Sequence, residues 1–286
     1  MKNILVTGAG GQLGSELRAL AKDSSTHHFL FTDFETLDIR DKEKVAEFIT
    51  DNSINLIINC AAYTAVDLAE ENPVDCDKLN HAAVADLAEL AEQNRAGLIH
   101  FSTDYVFDGT NHKPYTENDP TSAKSTYGIT KLASERVVLA KCSKAMVIRT
   151  SWLYSSYGNN FVKTVLKVLG TEGTMRVVAD QVGTPTLASD LAKAVITILN
   201  KGIVPGIYHY SNEGACSWYD FAKMVQRFAK IEGTISPISS DEYPVKAARP
   251  HYSVLNKSKI KETFGIEIPF WVDSLELCLE KIIKNN

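Results

Sequence analysis

Short unbroken apolar runs alternate along the chain with segments whose apolar residues recur at helical spacing. Ile4-Leu5-Val6 reads as a buried strand, and Gln12 to Ala21 as a helix opened by a run of glycines. Phe29 to Asp33 predicts a second strand, and Lys42 to Thr50 brings Val45, Phe48 and Ile49 onto one helical face. Leu56 to Asn59 predicts a third strand, followed by a long helix from about Pro73 to Gln93 with proline at its start. Leu98 to Phe101 and Ala145 to Ile148 supply two more strands. Continuous rather than alternating apolar runs, separated by helices, imply an α/β fold: a doubly wound parallel sheet covered on both faces.

After Arg149 the pattern loosens. Helices are predicted near Phe161 to Leu169, Ala188 to Leu199, Trp218 to Lys230 and Trp271 to Ile283, separated by loops rich in Gly, Pro and Ser. There is no repeat, low-complexity tract or obvious linker. Residues 1–150 are therefore expected to form the sheet domain. Residues 151–286 are expected to form mainly a smaller lobe, partly interleaved, with some segments returning to the sheet domain.

Composition narrows the class without naming a chemistry. With 286 residues, 44% hydrophobic and 23% charged, the chain can bury a large core. A formal charge of −5 without a long basic run argues against a nucleic-acid or anionic-membrane surface. No apolar stretch reaches the roughly 18 residues that span a bilayer. The N-terminus lacks the pattern of a signal peptide, and five widely spaced cysteines without Cys-x-x-Cys argue against a disulfide framework or zinc knuckle. A cytoplasmic location is the expectation.

The first candidate chemistry lies in the glycines. Gly8, Gly11 and Gly14 follow the first strand at G-x-x-G-x-x-G spacing, with Gly10 beside them. A tight turn, bare backbone for a pyrophosphate, and free N–H groups at a helix N-terminus make this a dinucleotide loop on a Rossmann-like sheet. Asp33 stands where a carboxylate can bind a ribose 2′-OH, which favours NADH; as a solvated strand-end aspartate it would carry no role. Asn59-Cys60-Ala61-Ala62-Tyr63 closes the third strand with small residues over which a cofactor can lie.

The second candidate is Tyr127-x-x-x-Lys131. One helical turn separates the two, so phenol and ammonium share a face. A second match, Tyr219 to Lys223, shows that the spacing alone is not diagnostic. Only the first pair follows a strand end, His100-Phe101-Ser102-Thr103-Asp104, at the carboxyl edge where such sheets bind ligands. Hydride delivered to a carbonyl leaves an alkoxide that needs a proton. Tyrosine ionises near pH ~10, and a neighbouring Lys131 ammonium is expected to lower that value so that Tyr127 acts as general acid. Lys131 can also hold the nicotinamide ribose, and Thr103 can donate to the developing oxyanion.

Thr7-Gly8-x-x-Gly11-x-x-Gly14, Asn59-x-Ala61-Ala62, Thr103 and Tyr127-x-x-x-Lys131 together resemble the extended short-chain dehydrogenase/reductase superfamily. Longer strings are narrower: Ala62 to Asp67, Ser102 to Gly109, Arg149 to Tyr154, Gly158 to Phe161, Asp180-Gln181-x-Gly183-x-Pro185-Thr186, and Arg249-Pro250. Over nearly the whole chain these resemble the dTDP-4-dehydrorhamnose reductase family. The resemblance implies reduction of the C4 ketone of dTDP-4-dehydro-L-rhamnose by NADPH or NADH, with Tyr127 as acid, Lys131 as its modulator and ribose anchor, and Thr103 as oxyanion donor. It further implies a cofactor site of Gly11, Gln12, Leu13, Asp33, Asp38, Ile39, Ala62, Tyr63 and Thr64, and a sugar site of Thr103, Asp104 and Trp152. Taken alone, Trp152 reads as a core aromatic.

Some members of that family hold Mg2+ at a dimer interface through glutamates. Glu16 matches the first, but Ser189 stands at the second, and the chain ends Lys284-Asn-Asn without a terminal acid. No Mg2+ site is expected, and a homodimer is compatible only through another surface. Nucleotide-sugar 4,6-dehydratases place Asp-Glu after the threonine, whereas Tyr105 follows Asp104 here. Another nucleotide-4-ketosugar reductase or epimerase, and a non-catalytic regulatory subunit of a methionine adenosyltransferase, remain as alternatives.

Overall fold

The computed structural model describes residues 2–22 and 25–284. In chain order the first half runs β1 (Lys2–Thr7), α1 (Gln12–Ala21), β2 (His27–Phe31), α2 (Lys42–Asp51), β3 (Leu56–Asn59), α3 (Val66–Glu71), α4 (Pro73–Asp77), α5 (Ala83–Gln93), β4 (Gly97–Thr103), α6 (Thr126–Lys141) and β5 (Ala145–Thr150). The second half runs β6 (Leu153–Tyr154), α7 (Phe161–Glu172), β7 (Thr174–Val178), β8 (Val182–Gly183), β9 (Thr186–Leu187), α8 (Ala188–Lys201), β10 (Gly206–His209), β11 (Cys216–Ser217), α9 (Trp218–Ala229), β12 (Thr234–Ile238), α10 (Ser258–Phe264) and α11 (Trp271–Lys284).

Six strands form one parallel sheet in the order β10-β5-β4-β3-β1-β2. The order reverses beside β1, which opens a crevice at the carboxyl edge between the loops after β1 and β3. Strand β10 carries the sheet beyond the first 150 residues, and α8 packs on α1 against it. The helix expected over 73–93 is interrupted by one π-helical turn at Lys78–Ala82, which places Asn80 in the interior.

Two apolar layers sandwich the sheet. Ile4, Val6, Ile58, Ile99 and Ile148 pack with Leu191, Val195 and Ile198 of α8. On the opposite face Leu5, Ile57, Leu98 and Val147 meet Val84, Leu87 and Ala88 of α5 and Val138 of α6. Alternation along the strands explains both layers: neighbours in sequence point to opposite faces, and both faces are covered. A third core, with Tyr154, Val165, Phe221, Trp271 and Leu275, fills the lobe built from α7, α9 and α11 with the short parallel pair β7–β12. Among the described residues, no helix is long and apolar enough to cross a membrane.

Candidate active site

The crevice holds a cavity of about 640 Å3, bounded by the start of α1, the ends of β3 and β4, the first turns of α6, and the lobe residues Trp152, Trp218 and Arg249. On the cofactor side, Gly11, Gln12, Leu13, Ala62 and Thr64 line it. Helix α1 has Gly11 at its N-cap with no side chain capping it, so its first N–H groups remain free for an anion. Gly8 adopts φ of 62°, and a Cβ there would lie 2.5 Å from the Ala61 nitrogen; only glycine lets the two loops meet.

The remaining expected cofactor residues lie outside the cavity wall. Gly14 packs against the loop, where a Cβ would meet Gly8 O at 2.5 Å. Strand β2 stops at Phe31, and Asp33 sits in the following turn, where its Oδ2 accepts from Gly10 N–H at 2.8 Å and its Oδ1 from Phe34 N–H at 2.9 Å. Asp33 thus pins the glycine loop. Asp38 is gripped by Arg40, which holds its carboxyl below the ordinary carboxylate range, and Ile39 is buried in the core. Tyr63 is held through its backbone, donating its N–H to Asn80 Oδ1 at 2.7 Å and accepting from Asn80 Nδ2 at 3.0 Å.

On the reaction side, α6 is pushed close to the end of β4. Ser125 caps the helix by accepting from Gly128 N–H, and a Cβ on Gly128 would lie 2.4 Å from the Tyr105 carbonyl oxygen. That approach brings Tyr127 beside Thr103, with Tyr105 packed edge-on against the Tyr127 ring at 5.7 Å. Thr103, Tyr127 and Lys131 all line the cavity, as do Asp104 and Trp152. Tyr219 and Lys223 lie on α9, outside it, with Lys223 bonded to Gln226.

The electrostatics depart from the expected tyrosine–lysine couple. Burial pushes the Tyr127 hydroxyl up to about 12, and the group that opposes the rise is Thr103, not Lys131. Burial lowers the Lys131 amine to about 8, partly countered by Glu135. The Lys131 Nζ lies 3.2 Å from His100 Nε2, at the floor of the site. Thr103 donates its hydroxyl hydrogen to Asp104 Oδ1 at 3.0 Å and accepts from Tyr105 N–H. Burial drives Asp104 up to about 6, its Oδ2 having no well-formed hydrogen bond although the Ser253 hydroxyl is near.

The lobe contributes Trp152, which the resemblance set at the sugar, together with Trp218 and Arg249, to which the sequence assigned no role. Trp152 takes φ of 46°, in the left-handed region that a bulky side chain rarely adopts, and stacks on Trp218 with ring centroids 3.6 Å apart. A Cβ at Gly183 would fall 2.6 Å from the Trp152 ring, so the close approach of the two loops depends on glycine's bare backbone. Arg249 reaches the cavity while paired to Asp67 at 2.7 Å. Ser102 Oγ, Asp104 Oδ2 and Arg249 Nε are buried without partners, and all three residues line the same cavity. Unsatisfied polar atoms gathered in one cleft suit a polar, anionic ligand.

Comparison with known proteins agrees with this arrangement. The family model described as the RmlD substrate binding domain matches residues 1–283. A dTDP-4-dehydrorhamnose reductase of Aggregatibacter actinomycetemcomitans is 40% identical, over 96% of this chain and 98% of its own. The chain belongs to the dTDP-4-dehydrorhamnose reductase family. A crystal structure of a family member from Clostridium acetobutylicum superposes with a TM-score of 0.94 at 39% identity, covering 98% of this chain and 99% of that one. Another, from Bacillus anthracis in complex with NADP, gives 0.93 at 34% identity, with 98% and 100% covered.

The free α1 N-terminus, the glycine cradle and the open wall at Ala62 and Thr64 fit a dinucleotide of the kind that the B. anthracis reductase holds. Glu16 and Ser189, the positions that the resemblance linked to an interface metal, lie close together. Glu16 is buried and accepts from Ser155 Oγ at 2.6 Å, and Ser189 lies in the same small pocket. Among the described residues no group of three His, Cys, Asp or Glu is placed to hold a metal, and the terminal Asn285 and Asn286 lie outside the described residues. Arg249 and Asp67 stand in strings that carried the family resemblance. Trp218 had no signal beyond being an aromatic at a helix start.

Proposed function

We propose that this chain reduces the C4 ketone of dTDP-4-dehydro-L-rhamnose to dTDP-L-rhamnose with NADPH or NADH, the last step of dTDP-rhamnose synthesis, in the cytoplasm. The observation that carries the reading is the placing of Tyr127, Thr103 and Lys131 on one wall of a cleft whose opposite wall is an uncapped helix N-terminus. The bound nicotinamide supplies the hydride. Gly11, Gln12 and Leu13 would hold its pyrophosphate through backbone N–H groups, with Ala62 and Thr64 beside the cofactor.

The protein's part is orientation and proton delivery. Thr103 aims the Tyr127 hydroxyl at the sugar O4, and Tyr127 gives its proton to the alkoxide as charge develops there. Lys131 supplies positive charge behind the resulting phenolate and anchors the ribose. Trp152, backed by Trp218, offers a flat apolar surface to the deoxysugar, and Arg249 offers a guanidinium to the diphosphate. Self-association, if it accompanies function, uses a surface other than a metal-bridged one. The test is oxidation of NADPH and NADH followed with dTDP-4-dehydro-L-rhamnose, with other nucleotide 4-ketosugars as controls. Absence of turnover with the rhamnose precursor alongside turnover with another ketosugar would reassign the substrate.

A further inference from the structure

A row of polar side chains crosses the sheet beneath the reaction site. Thr7, Asn59 and His100 are register partners on β1, β3 and β4, all pointing to the α6 side and all buried. They continue, one step further along each strand, the apolar layer of Leu5, Ile57 and Leu98. Buried polar groups in such a row must each find a partner, and here the partners determine one another.

A backbone N–H, which can only donate, fixes the direction of the whole row. Ala61 N–H donates to Asn59 Oδ1 at 3.2 Å, and the Thr7 hydroxyl donates to the same oxygen at 2.6 Å. The Asn59 amide therefore cannot be turned over, and its Nδ2 is the atom 3.2 Å from His100 Nδ1. An amide N–H facing Nδ1 requires a lone pair there, so the neutral ring carries its proton on Nε2. That N–H has an acceptor in Ser134 Oγ at 2.9 Å, because the Ser134 hydroxyl gives its own hydrogen to the Lys131 carbonyl at 2.6 Å. Yet the Lys131 Nζ is only 3.2 Å from the same Nε2.

We propose that His100 is a positioning residue for Lys131: its ring, locked by Asn59 as the Nε2–H tautomer, presents a donor and no lone pair to the lysine nitrogen. An ammonium gains no hydrogen bond from such a ring, so its N–H groups are directed to the cavity side, toward Tyr127. An uncharged amine can accept from Nε2–H, so the same contact favours the form of Lys131 left after it has passed a proton to a tyrosinate. The charged and titratable neighbours are few: Glu135 and Tyr127 on α6, Cys76 on α4, and His100 on β4, with Glu135 already paired to Arg149. Burial holds the His100 ring far below its ordinary value, so it stays neutral across the working range.

This inference rests on the reading of Tyr127 and Lys131 as acid and partner, but its test uses no substrate, so it stands or falls apart from the ketosugar assay. The full chain, labelled with 15N in histidine and 13C in lysine, reports the His100 tautomer and the Lys131 titration, the latter assigned by Lys131→Arg. The expected wild-type ring has a protonated Nε2 and a bare Nδ1. Asn59→Asp replaces the donor to Nδ1 by an acceptor, which should move the ring proton to Nδ1 and raise the Lys131 titration by about one pH unit or more. Ser134→Ala removes the competing acceptor, leaves Nζ as the sole target of Nε2–H, and should lower it. A general loosening of the core would not produce shifts of opposite sign. A wild-type ring protonated on Nδ1, or a Lys131 titration unmoved in both variants, overturns the proposal. The wild-type tautomer decides even where a variant fails to fold.

Discussion

Thr103 donates its hydroxyl hydrogen to Asp104 Oδ1 across 3.0 Å, inside a site where Asp104 is only 1% exposed. Burial outweighs this bond and the other donors around the carboxylate, and raises it from 3.8 to about 6. The folded value exceeds the unfolded one, so protonated Asp104 favours the fold. Its contribution is largest below pH 3.8 and is lost as pH rises through 6. Asp104→Asn should therefore stabilise the protein at pH 7.5 by roughly 2–3 kcal/mol at most, with the gain shrinking toward zero near pH 4. Denaturant melts at both values check it, and a gain that grows with acidity would be the wrong sign.

Tyr127→Phe removes the proton donor while leaving the cofactor wall intact. Turnover should fall by at least about a hundredfold, the usual scale for losing a positioned acid, while cofactor affinity stays within a few-fold. Lys131→Ala should damage both, since the residue is assigned to phenolate and ribose. Steady-state rates and cofactor titration by nicotinamide fluorescence separate the two variants, and near-normal turnover in Tyr127→Phe would refute the assignment.

How far the chain could be read in advance depended on whether a feature was local. Strand β3, helix α1 and the helix starts at Lys42, Phe161, Ala188, Trp218 and Trp271 follow from periodicity and caps over a few residues, and the structure has them where the pattern predicts. Strand β10 did not stand out, because Gly206–His209 is four residues long and gains its strand character from pairing with β5. The site divides in the same way. Tyr127 and Lys131 share a helix turn, a local fact. The burial that shifts both groups and the approach of His100 from the neighbouring strand are not visible in the spacing. Asp33 was placed within two residues of its strand end, but its bond to Gly10 joins segments 23 residues apart.

The Trp152–Trp218 stack joins the segment between β5 and β6 to the first turn of α9. Such a pair contributes about 0.5–1.5 kcal/mol beyond its buried area. Trp218→Ala should leave Trp152 without its support and raise KM for the sugar nucleotide by about three- to tenfold or more, with kcat less affected. The same variant should alter intrinsic tryptophan fluorescence on substrate addition. An unchanged KM would mean that Trp152 holds its place without the stack.

Glu135 and Arg149 form a two-pronged ion pair, 2.9 and 2.7 Å, with both side chains 2% exposed, directly behind the reaction helix. Arg149 also reaches His209 Nε2 at 3.3 Å and lies 5.1 Å over the Phe107 ring, so it ties α6 to β5 and β10. Removing one partner of such a pair leaves a buried charge with nothing to balance it, which costs about 3–5 kcal/mol. Arg149→Met should lower stability by that order, since Glu135 is left alone. The double variant Arg149→Met with Glu135→Leu should recover most of the loss, because no charge then remains buried. Urea melts of the three proteins test it. A double variant as unstable as Arg149→Met alone would place the cost in packing around Phe107 and His209 rather than in the unpaired carboxylate.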